Sequence, residues 1–337
     1  MASAQSLARI CMLVLLVGLP GGPEQTTPAS PAMPLDPIPA IVDAFSRHSL
    51  VCLGDAHGNR LGDAFQLKLI EDPRLADSLE NIVIESGNSR YQDRVDRFVN
   101  GESVDQQAME QVWIDTTQPQ MASRQISKVV LAARRLNSTR VRRRIRVLVG
   151  EPPIPWDDLK TGDQLRAWEE QPQFDRDAFG ADLIRREVLG KKQRALVLYG
   201  AGHFFRRPHS QSIVTLLEAN EARVFSIWTN AAAELSGLQP DVAGWPKPSL
   251  ALLRGTVLGR TGMSIYLGQN SGDVSPEWLV PIEEQFDAVL YLGPQSTIAF
   301  DRGAPWSCAD PAFGEILRRI ALGRPSGADR AKQRCTP

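Results

Sequence analysis

Two observations predict an α/β fold: a mostly parallel central sheet, covered by helices on both faces, with its site at the carboxyl ends of the strands. Short apolar and β-branched runs recur along the chain, each closed by glycine or a polar residue. Charged segments with apolar residues at helical spacing lie between them. The runs occupy 50–53, 82–84, 145–149, 195–199, 224–228 and 288–292. Because they are continuously apolar rather than alternating, they predict strands buried on both faces, which is the habit of parallel sheets. Among the intervening segments, Leu61, Phe65 and Leu69 repeat at i+4, as do Val95 and Val99. The stretch 177–189 is charged, with apolar residues at Leu183, Ile184 and Val188.

The chain has 337 residues and balances 38 Lys+Arg against 39 Asp+Glu, so its length suits one large domain or two modest ones. A net charge of −1 provides no global attraction to nucleic acid or an anionic membrane. Residues 1–22 hold Arg9, an apolar run from Ile10 to Leu19, and then Pro20-Gly21-Gly22. This is the pattern of a cleaved secretory leader, too short to span a bilayer comfortably. It predicts a periplasmic or secreted protein with no stable membrane anchor once the leader is removed. Residues 23–38 are Pro-rich and polar and predict a disordered spacer; 39–325 form the α/β domain, and 326–337 a flexible tail. Export would place Cys308 and Cys335 in an oxidising space, where they are expected to pair, whereas Cys52 lies in an apolar run and reads as a buried thiol.

In open parallel sheets, chemistry gathers where strands end. The first run leads into Gly54-Asp55-Ala56-His57, the second into Glu85-Ser86-Gly87, the third into Gly150-Glu151, and the fourth into Gly200-Ala201-Gly202-His203. Four strand ends therefore bring Asp and His, Glu, Glu, and His to one rim. Only four histidines exist, and two occur in the same setting, a strand followed by G-x-x-H. Such clustering of titratable groups marks a candidate site of His57, Asp55, Glu85 and His203. Arg60, just into the following helix, could neutralise a substrate carboxylate or an oxyanion. Asp177 and Glu187 are ten residues apart, about 80° off one helix face, so one of the two is expected at the site. No G-x-S-x-G elbow, H-E-x-x-H, paired C-x-x-C or phosphate-binding loop occurs, and Phe205 fills the third glycine position of a dinucleotide fingerprint. The arginines between Arg134 and Arg146 have no interleaved aromatics and read as a solvated helix end and an edge leading into the next strand.

These motifs resemble the superfamily that groups ChaN-like haem-binding lipoproteins, Tiki/TraB-type proteins and erythromycin esterases. The matching segments are LVCLGDAHGN (50–59), IVIESG (82–87), RVLVGEPPIPWDD (146–158), FDRDAFGADLIRREVL (174–189), ALVLYGAGHFFRR (195–207) and FDAVLYLGP (286–294). The superfamily commonly has Glu where this chain has Asp55, and no lipoprotein cysteine is matched. The resemblance implies an α/β fold and either hydrolysis or ligand binding. Esterase-like members imply His57 as general base on water, Tiki-like members a metal-dependent peptidase, and ChaN-like members a bound haem.

Three expectations result. The first is an exported hydrolase of an ester, lactone or amide, acting on a small molecule or peptide, with His57 as base and His203 polarising the carbonyl. The second is a divalent metal on His57, Glu85 and His203. The third is a haem- or metal-binding protein without catalysis, with Trp156, Phe204 and Phe205 as the apolar wall.

Overall fold

The computed structural model describes residues 28–118, 124–139, 144–206, 211–269, 278–301 and 313–323. The expected leader at 1–22, Cys308, Cys335 and residues 324–337 lie outside them. Seven strands form one sheet: β1 (Leu50–Asp55), β2 (Asn81–Asn88), β3 (Arg146–Glu151), β4 (Ala195–Gly200), β5 (Val224–Asn230), β6 (Ser249–Leu252) and β7 (Ala288–Tyr291). Their order is β3-β2-β4-β1-β5-β7-β6, and every neighbouring pair is parallel except the last. This is the predicted α/β class. All six apolar runs are strands. The seventh strand, β6, has four residues and pairs antiparallel at the sheet edge.

Alternation along each strand divides the core in two. Val51, Leu53, Ile82, Ile84, Val147 and Val149 pack on one face. Leu50, Cys52, Val83, Leu148, Val197 and Tyr199 pack on the other. The helices that flank the sheet and its rim are α1 (Pro37–Ala44), α2 (Arg60–Glu71), α3 (Pro73–Ser78), α4 (Gln92–Val99), α5 (Gln106–Ile114), α6 (Arg124–Ser138), α7 (Gly162–Glu169), α8 (Arg176–Glu187) and α9 (Ile213–Glu218). Buried residues of α1 to α6 join the first core, and those of α8 and α9 the second. The two faces are thus both covered, as fully apolar strands require. Cys52 is a buried free thiol, and burial pushes its pKa well above the usual thiol range. Among the described residues, no helix is long and apolar enough to cross a membrane.

One expectation is corrected. From residue 28 onward the Pro-rich stretch lies on the domain: Ala32 is buried and exchanges both amide bonds with the Gln239 side chain. Leu35 and Leu250 exchange backbone hydrogen bonds of 2.8 and 3.0 Å, so this segment lines the outer side of β6, and α1 begins at Pro37. Extended proline-rich chain keeps the amides of its other residues free, and these satisfy a sheet edge that would otherwise be open. Of the described arginines after α4, Arg135 and Arg144 are exposed at the end of α6 and on the edge leading into β3, whereas Arg134 and Arg146 are held by partners. Arg134 donates to the carbonyls of Phe98, Gly101 and Glu102, and Arg146 is clamped between Asp96 and Glu187 at 2.8 and 2.7 Å. Arg140, Arg142 and Arg143 lie outside the described residues.

One close approach in this sheet bears on the site above it. The Tyr199 phenol on β4 lies over Gly150 of β3, where a β-carbon would overlap its hydroxyl and come within 2.7 Å of the Ile84 carbonyl. Gly150→Ala should therefore lower stability by about 1–3 kcal/mol, the usual cost of overpacking a core. Tyr199→Phe in that background should recover part of the loss. Urea unfolding that gives Gly150→Ala the wild-type midpoint would contradict this packing.

Candidate active site

The first histidine stands on a braced loop. β1 ends at Asp55, and α2 begins five residues later. Asn59 is fully buried and caps α2, its Oδ1 accepting from the amides of Leu61 and Gly62 at 3.2 and 3.3 Å. Gly58 has φ +80°, and a side chain there would meet the Asp301 carbonyl at 2.8 Å, so glycine is required. Chain 299–301 clasps this loop: Asp301 N–H donates to the Gly58 carbonyl at 2.7 Å, and Arg60 N–H to that of Ala299 at 3.0 Å. His57, held between these supports, places Nδ1 2.9 Å from Asp55 Oδ2 and leaves its side chain 47% exposed.

Glu85 occupies the centre. Pairing of β2 with β4 ends at Ile84, and its register with β3 shifts before Asn88, where Gly87 adopts φ +102°. Released from the ladder, the Glu85 carboxylate accepts the Gly200 N–H at 2.6 Å on Oε2 and faces His57 Nε2 at 3.6 Å. Its other oxygen lies 3.3 Å from His203 Nε2 and accepts from Arg176 Nη2 at 2.7 Å. Gly200 makes this possible, because a β-carbon there would stand 2.8 Å from His57 Nε2.

The third wall comes from α8. Asp175 caps the helix by accepting from the amides of Asp177 and Ala178, and the first turn presents Arg176 and Asp177 inward. Asp177 accepts from His203 Nδ1 at 2.6 Å. Arg176 bridges Glu85 and Glu151, the latter at 2.5 Å, and Thr117 donates to Glu151 through both its amide and its hydroxyl. The result is a chain of groups: Asp55–His57, Glu85, His203–Asp177, with Arg176 and Glu151 beneath.

The electrostatics follow from these contacts. Burial alone would raise the Glu85 pKa; His203, Arg176 and His57 reverse this and hold the carboxyl well below the usual carboxylate range. Burial opposes charge on His203 too, but Asp177 and Glu85 outweigh it and push its pKa up to about 9, so it is an imidazolium at neutral pH. The Asp55 hydrogen bond raises His57 above 6.5 against the opposing effect of burial. Burial raises the Glu151 carboxyl despite Arg176 and Thr117. On α2, Asp63 is pushed up to about 6 by burial and by the Asp55 charge.

Asp55, His57, Glu85 and His203 therefore meet, as the strand-end argument requires. Of the two α8 acids, Asp177 is at the site, and Glu187 instead pairs with Arg146 and Lys191. His48 lies at the other end of β1, its Nδ1 on the Ala44 carbonyl at 3.0 Å and its ring 5.4 Å from that of Phe225. Arg60 is exposed at the start of α2. The group that sequence reasoning missed is Arg176. Its only signal was position beside Asp177 in a segment already singled out.

Neither expected cofactor suits these donors. The Glu85 carboxylate that would complete a metal site already accepts from the Gly200 amide and, at 2.7 Å, from the Arg176 guanidinium, whose positive charge would oppose a cation bound there. Among the described residues, no group of three or more His, Cys, Asp and Glu is placed to hold a metal. Haem would need an open apolar wall, but Trp156, Phe204 and Phe205 are 3%, 0% and 5% exposed. Phe205 packs inside an aromatic cluster with Trp228, Trp278 and Phe286, and the Trp156 indole donates to the Thr116 carbonyl.

No family model matches the chain, and no curated protein does. Among solved structures it is similar to a Bacillus cereus protein, 12% identical with a TM-score of 0.50, over 78% of this chain and 94% of that one. It is also similar to the type III effector HopBA1, 14% identical, TM-score 0.43, over 79% and 99%. A third is ChaN of Campylobacter jejuni, described with cofacially bound haem, at 9% identity, TM-score 0.34, over 76% and 90%. At such identities the likeness shows the α/β fold alone.

Removal of the central charge tests the electrostatics. Glu85→Gln should lower the His203 pKa from about 9 toward 6.5, with Asp177 retaining part of the elevation. A raised histidine pKa stabilises the fold below the unfolded value of 6.5, and that contribution disappears as pH rises through about 9. The variant should therefore lose stability at pH 6 and differ little from wild type at pH 10. NMR titration of the four imidazoles, with urea unfolding at both pH values, checks this; an unshifted His203 would refute it.

Proposed function

We propose that this chain is a hydrolase of an ester, lactone or amide bond, working by general acid–base catalysis with His57 as the base. The observation that carries the reading is the Asp55–His57 pair. Asp55 accepts the Nδ1 proton, which leaves the Nε2 lone pair turned toward the site, where a water can approach. The step balances without a cofactor. His57 Nε2 takes a proton from water, and the water oxygen bonds to the carbonyl carbon as the C=O π pair moves onto oxygen. That pair then returns, the bond to the leaving group breaks, and the leaving oxygen or nitrogen takes the proton from His57.

His203 has a different part from the one sequence alone suggested. Both its nitrogens face carboxylates, Nδ1 at Asp177 and Nε2 at Glu85, so its charge rather than a free N–H is what it contributes. It keeps Glu85 ionised, and Glu85 in turn favours the imidazolium that His57 becomes during the reaction. Membership of the ChaN, Tiki and erythromycin esterase superfamily, and export by the leader pattern at 1–22 to the periplasm or beyond, belong to the same proposal. The order of motifs supports the first, and the Pro20 break after a short apolar run supports the second.

Purified protein should be assayed with p-nitrophenyl acetate, γ-butyrolactone and an acyl p-nitroanilide. Turnover of one of them should fall by about 10²–10⁴ in His57→Ala, the usual contribution of a general base. His48→Ala, at the opposite rim, should retain wild-type rates. Activity should rise with pH through the His57 pKa, above 6.5, and fall as His203 deprotonates near 9. A His57→Ala protein as active as wild type would overturn the reading. So would a Soret shift on adding haemin that His57→Ala abolishes, if no substrate is turned over.

Amino-terminal sequencing of exported protein should find a start between about residues 20 and 34, beyond the apolar run. A mature chain that begins at Met1 would contradict export by this leader.

A further inference from the structure

Hydrolysis by this site requires one more group, a donor for the oxyanion that forms as water adds to the carbonyl. We propose that Arg176 is that donor, an inference that rests on the hydrolytic reading above. The histidines and the Gly200 amide are already committed. Both His203 nitrogens face carboxylates. The Gly200 amide is held by Glu85, and His57 Nδ1 by Asp55. His57 Nε2 is the base. Arg176 makes both of its ion pairs through Nη2 alone. Its Nε and Nη1 have no partner among the described residues, and neither belongs to the buried unpartnered atoms, so solvent reaches both.

Position and anchoring agree with this role. Glu85 presents one oxygen to His57 Nε2 and the other to Arg176, so base and guanidinium flank one carboxylate. In this proposal the carbonyl carbon meets the water at His57, and the carbonyl oxygen turns toward the guanidinium on the other side of Glu85. Arg176 is 16% exposed and fixed from both sides, by Glu85 and by Glu151, which Thr117 itself holds. Such anchoring supplies the preorganisation that makes an oxyanion donor effective, since no reorientation is needed as charge develops. A guanidinium also stays charged throughout the pH window in which His57 is neutral. Arg60, the arginine that sequence pointed to, is exposed at a helix start and lacks this bracing.

The test uses Arg176→Lys and Arg176→Ala with whichever ester, lactone or anilide the wild-type chain turns over fastest. Lysine keeps a positive charge between Glu85 and Glu151 but cannot supply the fork of Nε and Nη1. Both variants should lose kcat by about 10²–10³, the cost of removing one oxyanion donor, with KM little changed. Guanidinium chloride at non-denaturing concentration should restore part of kcat in Arg176→Ala and none in Arg176→Lys. The His203 imidazole in Arg176→Lys should still titrate near 9, which separates a lost donor from a collapsed site. Arg176→Lys with wild-type kcat overturns this role for Arg176 while the hydrolytic reading stands. Absence of turnover by the wild-type chain overturns that reading, and the oxyanion role with it.

Discussion

The site depends on one carboxylate that stays ionised where burial would neutralise it. Glu85 is surrounded by His203, Arg176, His57 and the Gly200 amide, and each of them is ordered partly by its contact with Glu85. Desolvation penalises an isolated buried charge by several kcal/mol, so such a group persists only when partners saturate its oxygens. Here the saturation is also the architecture of the site. A glutamate that bonds to β4 on one oxygen and to α8 on the other ties the sheet to the helix that carries Arg176 and Asp177.

That arrangement is possible because the sheet is parallel. Four adjacent strands, β3, β2, β4 and β1, end at one rim and point their terminal residues into the same space. Crossover connections return each following helix with its amino end at that rim, and α8 delivers two site residues from its first turn. Asp177 there is favoured by the helix dipole, whereas Arg176 is opposed by it, and the two carboxylates on Arg176 offset that cost. Glycine sets the remaining distances: Gly200 admits His57, and Gly150 and Gly180 admit the Tyr199 ring that lies edge-on to His203.

A cavity of about 630 Å³ opens at the opposite rim, near Val224 and Asp287, and contrasts with the site. Its half-buried cation, Arg206, commits all three nitrogens to Glu218, Asp287, Ser226 and the Gln285 carbonyl. A cation with every donor satisfied braces the chain between β5 and β7. The difference between Arg206 and Arg176 is therefore one of uncommitted hydrogen-bond donors rather than of charge or burial.

The amino-acid sequence by itself determined the fold class, six of the strands and the rim. Hydrophobic periodicity and residues that follow apolar runs are local properties, readable one segment at a time. It also brought Asp55, His57, Glu85 and His203 to that rim, because a parallel sheet aligns strand ends whatever the strand order. The tertiary structure decided which groups touch. Whether Asp177 or Glu187 faces His203 depends on how α8 is rotated against β3 and β4, and packing of Ala181 and Ile184 sets that rotation. That Arg176 reaches Glu85 across 91 positions, and that residues 28–36 line an edge strand rather than a solvated spacer, are likewise long-range facts. No local pattern encodes them, because the partner that satisfies each polar group comes from a distant part of the chain.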